Sequence, residues 1–360
     1  MIVKGGTFDR PINNILIIQL GDIGDVVWAT PTFRAVKETY PQANVSVLVR
    51  EGFGSLLEAD PHLHRIFEVK HYKGNLLNRT KKQINFIRDL RKACFDLVFD
   101  LRSDDRGAFM AFFSGAPIRG SMFYPDIPWR NHFFSHLVTP SSSNKRVYGA
   151  AEQSIRIIRE FGIDTDNTTP CLTIPKIIME RVHRLLEKER LMDSGWITLN
   201  PFSRWQYKEW GYEKWAQIID WLWQEYRIAA VIVGSPEERN RSIDIVKKCR
   251  QMVFNFTGKT TLSELAGLLS LSYLNVGVDS AAPHIAAAVG TPTITIYGPS
   301  EWLVWAPIGE THSVVTPDCD CAPCHQKGCD GSGTSKCIEE LTVNSVKGAI
   351  QGFLDKCGQS

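Results

Sequence analysis

The chain has 360 residues, 43% of them hydrophobic and 22% charged, a composition typical of a globular protein of about two domains. Its formal net charge of +2 and its pI near 8.0 argue against a dedicated nucleic-acid surface, which normally carries a clustered basic excess. Residues 1–10 lack the apolar stretch of a secretory signal, and no apolar run approaches the ~18 residues of a membrane span. We therefore expect a cytoplasmic protein without a nucleic-acid partner.

The first hundred residues alternate short apolar runs with stretches of helical periodicity. The runs predict buried parallel strands at residues 14–20, 45–49, 66–69 and 95–101. The periodic stretches predict helices at residues 26–40, 52–58 and 77–93, the last of them rich in Lys and Arg. This alternation favours an α/β fold with a doubly wound parallel sheet.

The alternation weakens between residues 120 and 175, where we predict one helix at 150–161, and it then resumes. Strands are predicted at 195–200, 228–233, 273–277 and 293–297, and helices at 212–226, 261–270, 281–289 and 343–353. We predict two Rossmann-like domains, residues 1–175 and residues 176–342. The final segment, residues 343–360, is a candidate to pack back on the first domain. Such a chain is expected to bind its ligands in a cleft at the carboxyl ends of both sheets.

The loop after the first strand carries two carboxylates, Asp22 and Asp25, each directly after a glycine. Its spacing departs from the glycine fingerprint of dinucleotide-binding proteins, which disfavours an NAD-dependent oxidoreductase. Catalytic groups of open α/β folds gather at this end of a strand, so one carboxylate is a candidate general base. Either carboxylate could instead cap the following helix.

Three polar segments follow predicted strands in the second half of the chain. Their hydroxyl, cationic and acidic side chains, together with a helix start that attracts anions, suggest a diphosphate site. Each segment also has a simpler interpretation, namely a solvated loop, an exposed first-turn carboxylate or a core histidine. The candidate residues are Ser203, Arg204 and Lys208, then Glu237, and finally Asp279, Ser280 and His284.

Three motifs resemble glycosyltransferase family 9 in their order and separation. They are Gly24-Asp25 to Pro31, then Asp100 to Arg102 with Arg106 and residues 114–120, and finally Asp279 through His284 to Gly298-Pro299. The resemblance covers about residues 14–350. It implies a GT-B fold of two Rossmann-like domains facing a central cleft. It also implies inverting transfer of heptose from ADP-heptose to the lipopolysaccharide inner core, at the inner face of the cytoplasmic membrane.

The resemblance also assigns roles to individual residues. Asp25 matches the family's general base, with the neighbouring Asp22 a second acidic group on the acceptor side. Arg102 and Arg106 match cations that bind an anionic glycolipid acceptor. The remaining matches lie on the donor side, without a required cofactor or metal: Lys208 and Ser203 at the diphosphate with Arg204 nearby, Glu237 at the ribose, and Asp279, Ser280 and His284 at the nucleotide.

Two departures from the family's motifs leave the transferred sugar open. Ser280-Ala281 stands where characterised members often carry Thr-Gly, and Gly211 replaces a usual proline. One alternative is therefore a family-9-like transferase that uses another nucleotide sugar for a surface glycan or glycoprotein. Another is a non-catalytic protein that binds sugar nucleotides or glycolipids.

Five of the nine cysteines fall within residues 319–337, namely Cys319, Cys321, Cys324, Cys329 and Cys337. Reduced or variably oxidised structural thiols are the favoured interpretation, followed by a disulfide and then by a zinc or iron–sulfur site. The basic stretch from Lys70 to Lys92 is interpreted first as a solvated helix face and second as a contact for the glycolipid or its membrane.

Overall fold

A computed structural model describes residues 8, 10–70, 72, 75–102, 104–139, 149–191 and 195–358. The chain forms two compact units, residues 1–173 and residues 174–360. Each unit has its own six-stranded sheet, and every strand pairing within the two sheets is parallel. The predicted α/β class with two doubly wound domains is confirmed.

The first sheet has the strand order β3-β2-β1-β4-β5-β6. Its central strands are apolar along nearly their whole length, as expected of parallel strands covered by helices on both faces. The topological switch point lies between β1 and β4, from which the chain winds outward in opposite directions. The strands are β1 (Asn14–Ile18), β2 (Asn44–Arg50), β3 (Arg65–Val69), β4 (Leu97–Asp100), β5 (Ile118–Met122) and β6 (His136–Val138).

The described residues of the first unit form the helices α1 (Ile23–Trp28), α2 (Thr30–Thr39), α3 (Leu76–Lys92), α4 (Asp105–Phe113), α5 (Pro128–Asn131) and α6 (Glu152–Arg159). The prediction of one helix over residues 26–40 was wrong, because two helices meet at Ala29. Pro31 has no N–H to donate to the carbonyl of Val27, and the Thr30 hydroxyl donates to that carbonyl instead, at 2.8 Å. The predicted helix at 52–58 is a single 3₁₀ turn, Gly54–Leu56.

The second sheet repeats the topology of the first, in the order β12-β11-β10-β7-β8-β9, with its switch point between β7 and β10. Apolar clusters cover both of its faces, which explains why β8 is buried at every position. The strands are β7 (Trp196–Asn200), β8 (Ala229–Ile232), β9 (Val253–Asn255), β10 (Asn275–Val278), β11 (Thr293–Ile296) and β12 (His312–Val315).

The helices of the second unit are α7 (Lys176–Lys188), α8 (Tyr212–Tyr226), α9 (Arg239–Val246), α10 (Leu262–Ser270), α11 (Ala281–Ala288), α12 (Trp302–Trp305), α13 (Lys336–Glu340) and α14 (Val343–Gly358). The final helix, α14, packs on α8 and β12 of the same unit and buries Val346 and Ile350 completely. None of the described helices combines the length and the apolar character needed to cross a membrane.

Candidate functional site

The loop that follows β1 at the first switch point positions Asp25. Asp22 caps α1 and Asp25 occupies the third helical position, so the two form a reciprocal capping box. In this arrangement the backbone N–H of Asp22 donates to Asp25 Oδ2 at 2.8 Å. Gly21 is required beside this pair, because a Cβ at that position would clash with the Asp25 carboxylate.

The two oxygens of Asp25 have different surroundings. Arg102 lies just beyond the end of β4, and its Nη1 lies 2.7 Å from Asp25 Oδ2, the oxygen that also accepts from Asp22. Oδ1 accepts no hydrogen bond from the described residues. Burial raises the pKa of Asp25 above its ordinary value, while the Asp22 hydrogen bond and the charge of Arg102 lower it. Asp25 therefore combines a fixed orientation with one open acceptor oxygen.

The side chain of the second acidic candidate, Asp22, is more exposed than that of Asp25. Its Oδ1 lies 2.7 Å from Nη1 of Arg50, the last residue of β2, whose Nε also donates to the Leu20 carbonyl at 2.7 Å. These contacts hold the β1 loop against the neighbouring strand. Arg50 was not predicted as a site residue, although its place at the end of a predicted strand was a signal for it.

The two arginines assigned to the acceptor side lie together at the start of α4. Arg102 Nε and Arg106 Nη2 lie 3.5 Å and 3.7 Å from Asp104 Oδ2. The backbone N–H of Arg102 also donates to the buried Asp100 at 3.2 Å. Arg102 is therefore tied to β4 and to Asp25, whereas the Arg106 side chain is mostly exposed.

The second switch point carries an ion pair between Lys208 and Asp279. Lys208 Nζ lies 2.5 Å from Asp279 Oδ2, and both side chains are largely buried. Asp279 directly follows β10, and Lys208 ends a 3₁₀ turn, Gln206–Lys208, in the loop that leaves β7. Gly277 allows β10 to approach β7 closely at this point, since a Cβ there would lie 2.9 Å from that of Asn200.

Two serines link the same loops. The Ser203 hydroxyl donates to the backbone carbonyl of Asp279 at 3.3 Å. Ser280 is the N-cap residue of α11, but its side chain makes no capping hydrogen bond. It accepts instead from the amide of Asn200 at 3.2 Å. The first N–H groups of α11 are therefore not capped by the Ser280 side chain.

Two large polar side chains are buried next to this ion pair. Burial lowers the pKa of His284 to about 4, the charge of Asp279 raises it and that of Lys208 lowers it further, so the imidazole is neutral at pH 7. Tyr297 follows Ile296, which pairs in register with Val278, so Tyr297 lies beside Asp279 on the next strand. It is completely buried, and its hydroxyl has no hydrogen-bond partner in the described part of the chain.

Arg204 and Glu237 make different contacts. The guanidinium of Arg204 lies 5.3 Å from the ring centre of Trp205, the ring that Lys327 also approaches to 5.3 Å. Glu237 lies exposed in a 3₁₀ turn after β8, where its own backbone N–H and the Ser235 hydroxyl lower its pKa. In the part of the chain that the structure describes, no contact joins the Glu237 side chain to the Lys208–Asp279 pair.

Glu209 and Arg241, which were not predicted as site residues, fix the loop that carries Lys208. Arg241 Nη1 lies 2.6 Å and 2.7 Å from the two carboxylate oxygens of Glu209. Glu209 also accepts from the backbone N–H of Ser203 at 2.9 Å. The two residues are 32 positions apart, so no local pattern could pair them.

The five clustered cysteines are free thiols, and the Sγ atoms of Cys319 and Cys321 lie 3.8 Å apart. Burial raises the pKa of Cys337 to about 11. The described residues contain no group of three or more His, Cys, Asp or Glu side chains arranged to hold a metal ion.

Two six-stranded sheets of the same doubly wound order, each with polar side chains at its switch point, define the chain as a GT-B glycosyltransferase fold. The model of glycosyltransferase family 9 (heptosyltransferase) matches residues 83–334, and the chain belongs to this family. The family resemblance and the expected enzyme class, a glycosyltransferase, are therefore confirmed.

Known relatives are similar over most of the chain. Lipopolysaccharide heptosyltransferase 3 of Escherichia coli is 26% identical over 291 residues, which cover 79% of this chain and 83% of the relative. Among solved structures, a family 9 glycosyltransferase from Veillonella parvula has a TM-score of 0.80 at 20% identity, covering 96% and 97% of the two chains. The E. coli ADP-heptose lipopolysaccharide heptosyltransferase II has a TM-score of 0.76 at 19% identity, covering 95% and 99%.

Proposed function

We propose that this protein transfers heptose from ADP-heptose to an inner-core lipopolysaccharide acceptor with inversion at the anomeric carbon. Family membership and the heptosyltransferase relatives support the class of reaction. The single observation that carries the mechanism is that the two oxygens of the Asp25 carboxylate have different surroundings. One oxygen is held by Asp22 and Arg102, and the other is open to a ligand.

Asp25 acts as the general base in this proposal. The acceptor hydroxyl donates its proton to Oδ1 while its oxygen attacks the anomeric carbon, and the bond from that carbon to the diphosphate oxygen breaks. Attack and departure on opposite faces invert the configuration. Burial makes Asp25 a stronger base than a solvated aspartate, and Arg102 keeps it ionised before the reaction.

Lys208 stabilises the negative charge that grows on the departing diphosphate. Its ammonium group has three N–H bonds, of which the described contact with Asp279 uses one. The start of α11, uncapped by the Ser280 side chain, offers further donors to an anion. These groups supply the positive charge that a metal ion provides in other transferases, so we propose that no cofactor is required.

We assign the remaining donor contacts from the resemblance of these residues to the family's motifs. Ser203 and Ser280 face the diphosphate, Asp279 and His284 the nucleotide sugar, and Arg204 the phosphate edge, while Glu237 holds the ribose hydroxyls. The second unit is thus the nucleotide-sugar domain.

The first unit is the acceptor domain in this proposal. Arg102 and Arg106 bind phosphate or carboxylate groups of the glycolipid. Asp22 orients the β1 loop through Arg50. The reaction takes place at the inner face of the cytoplasmic membrane, where such an anionic glycolipid acceptor is anchored.

The decisive experiment combines purified protein, ADP-heptose and a deep-rough lipopolysaccharide acceptor, and follows product mass and ADP release together. We expect one heptose to be added for each ADP released. ADP-sugar binding without transfer would favour the alternative of another sugar or acceptor, which the Ser280-Ala281 and Gly211 departures support. Absence of both binding and transfer would refute the proposal.

A further inference from the structure

The N-terminal half of α3 projects apolar side chains into solvent. Leu76 and Leu77 are 75% and 81% exposed, and Ile84, two turns further on, is 50% exposed. The helix contacts the body of the unit through its C-terminal half, where Leu90 is fully buried and Phe86 packs on the core. Adjacent exposed leucines are not explained by a solvated helix face, since they gain nothing from water.

The same helix is strongly basic. Its cations outnumber its acidic residues by six to one, and the single carboxylate, Asp89, pairs with Lys92. The other five side chains are exposed and pair with no carboxylate in the described part of the chain. They are Arg79, Lys81, Lys82, Arg88 and Arg91.

A groove of about 320 Å³ runs along this half of the helix. Its walls combine two cations, Lys70 and Arg79, with the ring of Tyr72 and the aliphatic side chains of Leu76 and Ile84, and two uncharged polar residues complete them, Thr80 and Gln83. Cations beside apolar surface match the boundary between phosphate headgroups and acyl chains in a lipid bilayer. A protein partner is less well matched, because the apolar part is small and is surrounded by positive charge.

We infer that the N-terminal half of α3 docks on an anionic lipid bilayer, with Leu76 and Leu77 inserted at the headgroup level and the surrounding cations on lipid phosphates. None of the described helices can span a membrane, and this surface gives the protein a way to bind one. The inference does not require the proposed heptosyl transfer, because lipid binding and catalysis use different residues.

Co-flotation of the full chain with vesicles free of glycolipid tests this surface. We expect binding to vesicles of phosphatidylglycerol and phosphatidylethanolamine, weakening as salt rises, and little binding to pure phosphatidylcholine. Leu76→Ser/Leu77→Ser should reduce the bound fraction at least tenfold. Leu303→Ser, on a leucine that is 70% exposed in the other unit, is the matched control and should have no effect.

A charge-reversal pair separates the electrostatic contribution. Lys82→Glu should weaken vesicle binding severalfold. Lys247→Glu, at the C-cap of α9 in the other unit, changes a side chain that is 70% exposed and should not weaken binding. Unchanged melting temperatures show that the variants are folded. Binding that appears only when lipopolysaccharide is embedded in the vesicles, or that survives the α3 variants, would overturn the inference. Vesicle binding without heptosyl transfer would refute the proposed function and leave this surface intact.

Discussion

The two switch points share one topology and differ in their chemistry. At β1 and β4, the Asp25 carboxylate is held through one oxygen and keeps the other open. At the ends of β7 and β10, Lys208 and Asp279 form an ion pair, and the buried side chains of His284 and Tyr297 lie next to it. In the proposed function the same strand order therefore supports proton transfer in one unit and anion binding in the other, because the residues just beyond the strands decide the chemistry.

The largest expected effect tests the first switch point. Asp25→Asn keeps the shape of the side chain but removes its capacity to accept a proton. We expect turnover to fall by about 10³-fold or more, with ADP-heptose binding retained, measured by steady-state kinetics and calorimetry. Asp22→Asn is the matched control and should lower turnover much less. An equal loss in both variants would contradict the assignment of the base to Asp25.

The second switch point is tested by Lys208→Ala. This change removes the proposed phosphate-binding cation and breaks its ion pair with the Asp279 carboxylate. We expect ADP binding and turnover to fall together by roughly 100-fold. Lys259→Ala, which breaks a more exposed pair with Glu189, should leave both unchanged. Loss of turnover with normal ADP binding would show that Lys208 does not contact the diphosphate.

The buried imidazole of the second unit predicts a pH dependence of stability. The folded pKa of His284 is about 4, below the ordinary value of 6.5, so the unfolded chain binds the proton first as the pH falls. Stability should therefore be lost between pH 6.5 and 4, by at most about 1.4 kcal/mol per pH unit. Thermal unfolding of His284→Gln should show a shallower dependence over this range. An unchanged slope would mean that other groups cause it.

The first unit predicts a pH dependence of activity with its own sign. A base must be deprotonated, so kcat/KM should fall as the pH decreases through the raised pKa of Asp25. The charge of Arg102 lowers that pKa, and Arg102→Gln should move the acid limb to higher pH by roughly one unit. The pH–rate profile measures this shift, and Arg106→Gln provides the control. A limb that moves to lower pH would contradict the role of Arg102.

The smallest expected effect concerns the hydroxyl of Tyr297. A buried donor without a described partner carries a desolvation cost, so Tyr297→Phe should stabilise the free protein by about 1 kcal/mol. Differential scanning calorimetry without ligand measures this change. Destabilisation would show that the hydroxyl has a partner, such as an ordered water molecule.

Prediction from sequence succeeded where a pattern is local and strong. The strands β7 and β8, which are buried at every position, and β1, which is buried beyond Asn14, appear as apolar runs. Helix α8 shows helical periodicity from Tyr212 to Tyr226. Several elements of the second unit were not predicted, among them α7, α12, α13, β9 and β12. The two strands lie at the edges of the sheet, and β9 is only half buried, so neither has a strong apolar run.

The candidate site shows the same difference between what a local pattern predicts and what it does not. The sequence by itself determined that acidic and basic side chains follow the central strands, because parallel strands end at one edge of a sheet. Only the tertiary structure decided which of them meet. Lys208 and Asp279 are 71 residues apart, and Arg102 and Asp25 are 77. Burial, which raises the pKa of Asp25 and lowers that of His284, comes from packing against distant segments and has no signature in the local sequence.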